Sequence, residues 1–348
     1  MSSMNQREDM ILRSMVESYI QSGTPTGSTT LLANNTWDLS SATVRNVLKK
    51  LGDEGYLAKP HSSSGRVPTA KAYYHYVQQL NAVQNMSPEQ RVSYQQFCDR
   101  LSTVGDQMGE LLNCMGQLLS NNLDYTVIVS MPTVTKNVLK AIHLILLDVN
   151  RVLLVLMTDM GVSKDIIVRL TDSYTQDDLN YLSSCLTEHL KEKPIDATNI
   201  ESIDCLSEMI PQYKTLLKDC GDALSQQEEV VDASSPQTFG ISKMLDLPEF
   251  SDADYMKRVL RLLDQTRTLQ DIFQETVSSH RTAVFIDDVQ KSPDLKDCAL
   301  LVRPLQLSDR SVAQLGILGP TRMVYKQVFK LLGNAHTYVS ERLSAREG

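Results

Sequence analysis

Apolar residues at Leu12, Met15, Val16, Tyr19 and Ile20 recur at the spacing of one helical face, so residues 4–22 read as a helix that Gly23 and Pro25 stop. Ser28 offers an N-cap for a short second helix through Leu31 and Leu32, closed by the polar Asn34, Asn35 and Thr36. A third helix starts at Ser40 or Ser41 and carries Val44, Val47, Leu48 and Leu51 on one face. Gly55 sits where a left-handed residue is wanted at its end. Three short helices with a tight polar turn before the third have the pattern of a helix-turn-helix. Tyr56 and Leu57, a small-residue loop with basic ends, and Val67-Pro68 then predict an edge hairpin, or wing. Tyr73, Tyr76, Val77 and Leu80 predict a helix leaving it.

From Tyr94 the apolar positions Phe97, Leu101, Val104, Met108, Leu111, Met115 and Leu118 follow at alternating spacings of three and four, a heptad seam. Two readings fit it: a dimer-forming coiled coil, or a long helix laid on a sheet. Gly105, Gly109 and Gly116 weigh against the first. The pattern then turns to strands at 125–129, 142–147, 151–157 and 166–170, with Asp148, Val149 and Asn150 as a hairpin turn. Thr175 and Asp178 form a candidate capping box before Leu179, Leu182, Leu186 and Leu190. Strand-like runs return at 283–286, 299–302 and 312–318, and a final helix carries Val324, Val328, Leu331, Ala335 and Val339 on one face. A mixed sheet with flanking helices is thus expected, interrupted between about 200 and 280 by a polar, mostly helical insertion.

Composition adds the surface chemistry. The 348 residues, 42% hydrophobic and 22% charged, fit two or three globular domains. The net charge of −8 argues against a surface that coats nucleic acid everywhere, yet residues 1–80 carry +2, concentrated at 41–76, and the remainder −10. The longest apolar run, 152–157, is far short of a membrane span, and the N-terminus carries Arg7, Glu8 and Asp9 where a signal peptide would be apolar. Six cysteines (98, 114, 185, 205, 220 and 298) show no paired spacing. The expectation is a soluble cytoplasmic protein with reduced, mostly buried thiols, no membrane partner and no cofactor.

On a wheel centred on Val44, Leu48 and Leu51, the opposite face of the third helix presents Ala42, Arg45, Asn46, Lys49 and Asp53. Arg and Lys can bond guanine, Asn can pair with adenine, and Ala can touch a thymine methyl, so this face suits a major groove; an ordinary solvated helix surface is the alternative. The candidate double-stranded-DNA contacts are Ser41, Ala42, Thr43, Arg45, Asn46, Lys49 and Lys50 on the helix, with Lys59, His61, Ser62, Ser63, Ser64 and Arg66 on the wing. Enzymatic and metal readings are thin. His143 lies in a strand-like run, and Cys185 with His189 has ligand spacing without a second pair. Gly316, Gly319 and Pro320 could cradle an anion but lack the phosphate-loop lysine, so a turn feeding a helix is preferred. No catalytic or metal-binding residue is expected.

Thr24-Pro25-Thr26-Gly27-Ser28, Leu39-Ser40-Ser41-Ala42-Thr43-Val44-Arg45-Asn46 and Pro60-His61-Ser62-Ser63-Ser64-Gly65-Arg66-Val67-Pro68-Thr69 together resemble the N-terminal signature of the HrcA family, the heat-inducible transcription repressors of bacteria. The likeness continues at Phe239-Gly240, Leu247-Pro248-Glu249-Phe250 and Gly316-Ile317-Leu318-Gly319-Pro320-Thr321-Arg322-Met323, with Tyr325 beyond. The resemblance implies an α+β multidomain fold: a winged helix-turn-helix (1–85), a GAF-like α/β domain with its connecting helix (86–200 and 281–348), and a dimerising domain inserted at 201–280. It further implies a homodimer on CIRCE, an inverted-repeat operator of chaperone operons, with activity modulated by the GroEL chaperonin. The runner-up is a GAF-type regulator switched by a small effector. The chain departs from the family pattern at Thr29 (usually Arg), Val47 (usually acidic), Lys71-Ala72-Tyr73-Tyr74 (commonly Lys-Gly-Tyr-Arg) and Asp287-Asp288-Val289-Gln290 (a Gly-x-Glu-Asn stretch).

Overall fold

The computed structural model describes the chain except residues 1–3, 61–64, 83–87, 102–107, 131–138, 159–162, 192–209, 227–235, 278, 280, 309–310 and 348. Helix α1 (Gln6–Ser22) opens on a reciprocal cap: Asn5 Oδ1 accepts the Glu8 N–H, and the Glu8 carboxylate accepts the Asn5 N–H. Helix α2 (Ser28–Ala33) is preceded by Gly27, so Ser28 is already helical rather than its cap. Helix α3 (Ser41–Asp53) is capped by Ser40, whose Oγ accepts the Thr43 N–H at 3.1 Å, and Gly55 takes the expected left-handed conformation. Strands β1 (Leu57–Ala58) and β2 (Val67–Pro68) pair antiparallel. Thr26 and Arg66 exchange both backbone hydrogen bonds, tying this hairpin to the α1–α2 connection. Helix α4 (Ala70–Ala82) closes the N-terminal unit. Ile11, Leu12, Met15 and Val16 of α1, Leu31, and Val44, Leu48 and Leu51 of α3 are buried in its core.

The heptad stretch forms two helices, α5 (Pro88–Leu101) and α6 (Met108–Asn121); Val104 and Gly105 lie outside the described residues. Both pack within the chain. Phe97 stacks edge-on against Tyr338, and Leu111, Leu112, Met115 and Leu119 are buried in the same cluster as the sheet residues Val127 and Val129.

Next along the chain come β3 (Thr126–Ser130), β4 (Leu139–Asp148), β5 (Arg151–Thr158) and β6 (Ser163–Arg169), then α7 (Gln176–Leu190) and α8 (Lys214–Gln226). Beyond these lie β7 (Gln237–Phe239), α9 (Ile241–Met244), α10 (Ala253–Asp264) and α11 (Thr266–Thr276). The last elements are β8 (Ala283–Ile286), β9 (Cys298–Ser308), β10 (Ser311–Pro320) and α12 (Tyr325–Glu347). These strands make two sheets rather than one mixed sheet, and every described pairing in both is antiparallel.

The larger sheet has the order β7-β3-β10-β9-β8 and is covered on both faces. Val127, Val129, Leu301, Leu305, Leu315 and Ile317 point toward α6 and α12, whereas Ile128, Leu300, Val302 and Leu318 point toward α10 and α11. Buried Gln314 fastens α11 by donating to the Phe273 carbonyl and to Thr276 Oγ1. Gly316 and Gly319 are strand positions of β10, which corrects the turn reading. A Cβ on Gly316 would lie 2.7 Å from Phe273 Cζ, so glycine is there to admit the ring.

The smaller sheet, β4-β5-β6, has a separate core with α7 and α8: Ile142, Leu144, Val152, Leu154, Leu156, Ile166 and Val168 meet Leu179, Leu182, Leu186, Leu216 and Leu217. The buried clusters therefore do not divide at the expected 201–280. Strands β4–β6 share one cluster with α7 and α8, and the helices at 253–276, expected in the insertion, form the second cover of the five-stranded sheet. Helix α7 also closes the free edge of β4. Backbone N–H groups of Ile142, Leu144 and Leu146 donate, each at 2.9 Å, to Thr187 Oγ1, Ser183 Oγ and Gln176 Oε1. An edge strand so capped cannot recruit another strand. Ser183→Ala strands the buried Leu144 N–H and should destabilise this unit by about 1–3 kcal/mol in urea denaturation, since an unpaired buried donor keeps its full desolvation cost.

Candidate nucleic-acid interface

Burying Val44, Leu48 and Leu51 leaves the rest of α3 for solvent. Ala42, Arg45, Asn46 and Lys49 are exposed on it, and among the described residues Arg45, Asn46 and Lys49 have no hydrogen-bond or ion-pair partner. The exposed face of this 13-residue helix therefore offers an uncompensated, donor-rich strip from Ala42 to Lys49. Ser41 and Thr43 are half-buried at the cap, with Thr43 Oγ1 2.8 Å from Ser40 Oγ. Val47, where the family is usually acidic, packs partly buried against the core.

The other candidates are placed differently. Lys50 turns toward α1, where its Nζ lies 2.7 Å from Glu8 Oε1 and 3.7 Å from Glu54 Oε1. Its charge is already compensated, and it works as a strut between α1 and α3. Lys59 is exposed at the base of the hairpin, and His61, Ser62, Ser63 and Ser64 lie outside the described residues. Arg66 is half-buried and lies against α3: a Cβ on Gly52 would collide with Arg66 Nη1, so the glycine is the seat for this guanidinium. Lys71 Nζ donates to the Glu54 carbonyl at 2.8 Å and sits 4.2 Å from the centre of the Tyr56 ring, holding α4 to the end of α3. Tyr74, at the family's Arg position, is exposed, as is Thr29.

Sequence reasoning missed the Glu8 strut and the Gly52 seat. A buried acid in the first turn of an otherwise apolar-faced helix was the available signal for one, and a glycine interrupting the basic helix for the other.

Elsewhere, His143 is exposed on β4, and the His189 ring nitrogen lies 3.2 Å from the Cys185 carbonyl, which accounts for their spacing as a local helix contact. Among the described residues no cluster of His, Cys, Asp or Glu could hold a metal ion, and no helix is long and apolar enough to cross a membrane. Cys98, Cys114 and Cys185 are partly buried and free; burial pushes Cys220 up to about 12 and Cys298 up to about 11, keeping both as thiols.

Three comparisons with known proteins bear on this geometry. The family model described as the HrcA protein C terminal domain matches residues 109–329, well over half of the chain. Proteins named heat-inducible transcription repressor HrcA are 28% identical over 332 residues in Clostridium botulinum, covering 95% of each chain. In Symbiobacterium thermophilum the identity is 28% over 336 residues, covering 96% of this chain and 97% of that one. A crystal structure described as a hypothetical protein shares the fold, with a TM-score of 0.64 at 17% identity over 99% of both chains. An exposed donor strip on a helical frame, with such relatives, places the protein among transcription repressors, a class without enzymatic activity. The chain belongs to the HrcA family of heat-inducible transcription repressors.

The Lys50 hydrogen bond holds the Glu8 carboxyl below its usual range against the opposing effect of burial, helped by Asn5. A carboxyl with a lowered folded-state pKa contributes stability above its unfolded value, about 4.3, and loses it as pH falls through the folded value. Glu8→Gln should therefore lower the melting temperature at neutral pH, with the gap to wild type closing below about pH 4. Thermal unfolding followed by circular dichroism across pH 3–7 reads this.

Proposed function

We propose that this protein is a homodimeric repressor of heat-shock chaperone operons that binds the inverted-repeat CIRCE operator through its N-terminal unit, acting as a winged helix-turn-helix. The observation that carries this reading is the unpartnered strip Ala42, Arg45, Asn46 and Lys49 on a helix whose other face is buried. In a helix-turn-helix the second helix enters the major groove, and the N-terminal side chains of that helix reach base edges. Lys59 and Arg66, with His61, Ser62, Ser63 and Ser64, are assigned to backbone or minor-groove contacts of the wing. Arg45→Ala should weaken operator binding by about 1–3 kcal/mol if it makes a bidentate base contact. Gel-shift titration against the inverted repeat and an unrelated duplex measures the loss, and unchanged binding removes Arg45 from the contact set.

For the dimer we assign the inserted unit to residues 139–226, not 201–280, on the grouping of its core. Its sheet has one face on α7 and α8, and its opposite face carries an apolar centre flanked by His143, Asp165, Arg151 and Arg169: Ile145, Leu147, Met157 and Ile167 are all more than 40% exposed, and Ile145, Leu153 and Ile167 form a row across the three strands. Exposed apolar patches of this kind mark association surfaces, and with the β4 edge closed by α7 a face-to-face contact between two copies fits it. Ile167→Asp should convert the dimer to monomer by light scattering; a persistent dimer would place the interface elsewhere.

The five-stranded sheet with its helices is assigned as the GAF-like domain, and residues 1–85 as the DNA-binding one. Modulation by GroEL rests on family membership: unfolded clients occupy the chaperonin on heating, active repressor falls, and transcription is released. On this reading the protein works in the cytoplasm and needs no cofactor.

A further inference from the structure

The C-terminal end of α1 is gripped by the corner between β10 and α12. Arg322 Nη1 donates to the Ile20 carbonyl at 3.1 Å, one of the helix-end acceptors with no partner inside the helix. Its Nε donates to Glu249 Oε1 at 2.7 Å, both side chains being about three-quarters buried. The same guanidinium lies on Gly23, where a Cβ would approach Nη1 to 3.2 Å. One turn earlier, Lys326 Nζ reaches Glu17 Oε1 at 2.8 Å, and Tyr76 donates its hydroxyl to that same oxygen at 3.2 Å. Tyr73 and Tyr76 of α4 lie against the buried Tyr325 with ring centroids 5.9 and 6.4 Å apart. Arg322 is thus the one group described here that bonds α1, the 248–251 turn and the β10–α12 corner together.

We infer that Arg322 is a positioning residue for operator binding: it fixes the N-terminal unit on the body and so sets the separation of the two α3 helices in the dimer. The inference rests on the repressor reading above. Arg322 touches no nucleic acid. A guanidinium suits the task because its fork can hold a carboxylate and a carbonyl at once in fixed directions, which a lysine ammonium does not. With the grip intact, two half-sites are engaged by a rigid pair; with it removed, the end of α1 keeps only the Glu17–Lys326 pair beside the tyrosine contacts of α4, the orientation of each N-terminal unit loosens, and the linkage advantage of the second half-site drops.

The test compares the full-length wild type with Arg322→Ala on three kinds of duplex: the inverted repeat, a single half-site, and repeats whose spacer is lengthened or shortened by two base pairs. Arg322→Ala should bind the repeat roughly tenfold more weakly, bind the single half-site as wild type does, and discriminate less between spacers. Hydrogen exchange should rise at the last turn of α1 and stay unchanged in β9 and β10. Wild-type affinity with a wild-type spacer profile overturns the inference, as does an equal loss on repeat and half-site, which reports damage to the N-terminal unit itself. Glu249→Gln, which preserves shape and removes the charge partner, should shift binding and exchange in the same direction to a smaller extent, and it carries the test if Arg322→Ala fails to fold. If wild type does not prefer the repeat to unrelated duplex, the repressor reading fails instead. The exchange comparison then still decides whether Arg322 holds α1, and unaltered exchange there refutes the positioning role.

Discussion

A short helix keeps a polar face free for a partner only while its other face stays buried, and for α3 the burying surface is α1. Isolated helices of about 12 residues are marginal in water, so both exist because Ile11, Leu12, Met15 and Val16 pack with Val44, Leu48 and Leu51. Polar contacts then fix their relative rotation. At the start of α1, Glu8 holds Lys50; at its end, Glu17 and the Ile20 carbonyl meet Lys326 and Arg322. Burial alone raises the Glu17 pKa, but the Lys326 and Arg13 contacts outweigh it and leave the carboxyl below its usual range. The helix beneath the candidate interface is therefore fastened to α3 at one end and to the body at the other.

Local elements were legible because their signals are local. Periodicity placed α1 and α3 within a few residues, the Thr175 and Asp178 capping box opens α7, and the run at 283–286 coincides with β8. What periodicity lacks is any record of which strands share a sheet. Strand β4 carries Ile142 and Leu144 on its buried face and Ile145 and Leu147 on its open one, so nothing in its pattern separates it from the strands of the single mixed sheet expected from the sequence. The polar, mostly helical stretch between about 200 and 280 reads as one insertion, but the apolar stripe of α10 and α11 finds its cover on Ile128, Leu300 and Val302, which only the tertiary arrangement supplies. At the candidate interface the exposed strip was readable from the helical wheel. Lys50 was not, because its partner Glu8 is 42 residues away.

Departures from the family pattern have local physical accommodations. Val47 replaces a usually acidic residue and sinks against the core, which lowers the negative charge beside Arg45 and Asn46. Asp287 stands at the start of the family's Gly-x-Glu-Asn stretch and adopts a left-handed φ of 51°, a conformation aspartate tolerates better than most residues. Its Oδ1 accepts the N–H of Asp297, itself left-handed, so the side chain secures the turn that glycine would permit by lacking one. The sequence difference thus leaves the β8–β9 connection intact.

Energetics favour control at the joints over control by unfolding. The smaller sheet is packed by one apolar cluster and the larger by one on each face, and loss of even one large core side chain costs about 2–5 kcal/mol, so melting a core is a poor way to change activity by small steps. A tenfold change in affinity needs only about 1.4 kcal/mol, comparable with one hydrogen bond between partly buried groups. The polar contacts joining the N-terminal unit to the body are of that kind, the Ile20 carbonyl on Arg322 and the Glu17 carboxylate on Lys326, set beside the tyrosines of α4 and α12 in the shared apolar cluster. Under the proposed dimeric arrangement, a shift of one or two such contacts alters how well a pair of α3 helices matches a pair of half-sites, while every core stays folded. Affinity for the repeat then falls far more than affinity for a half-site, because only the repeat depends on the relation between the two copies.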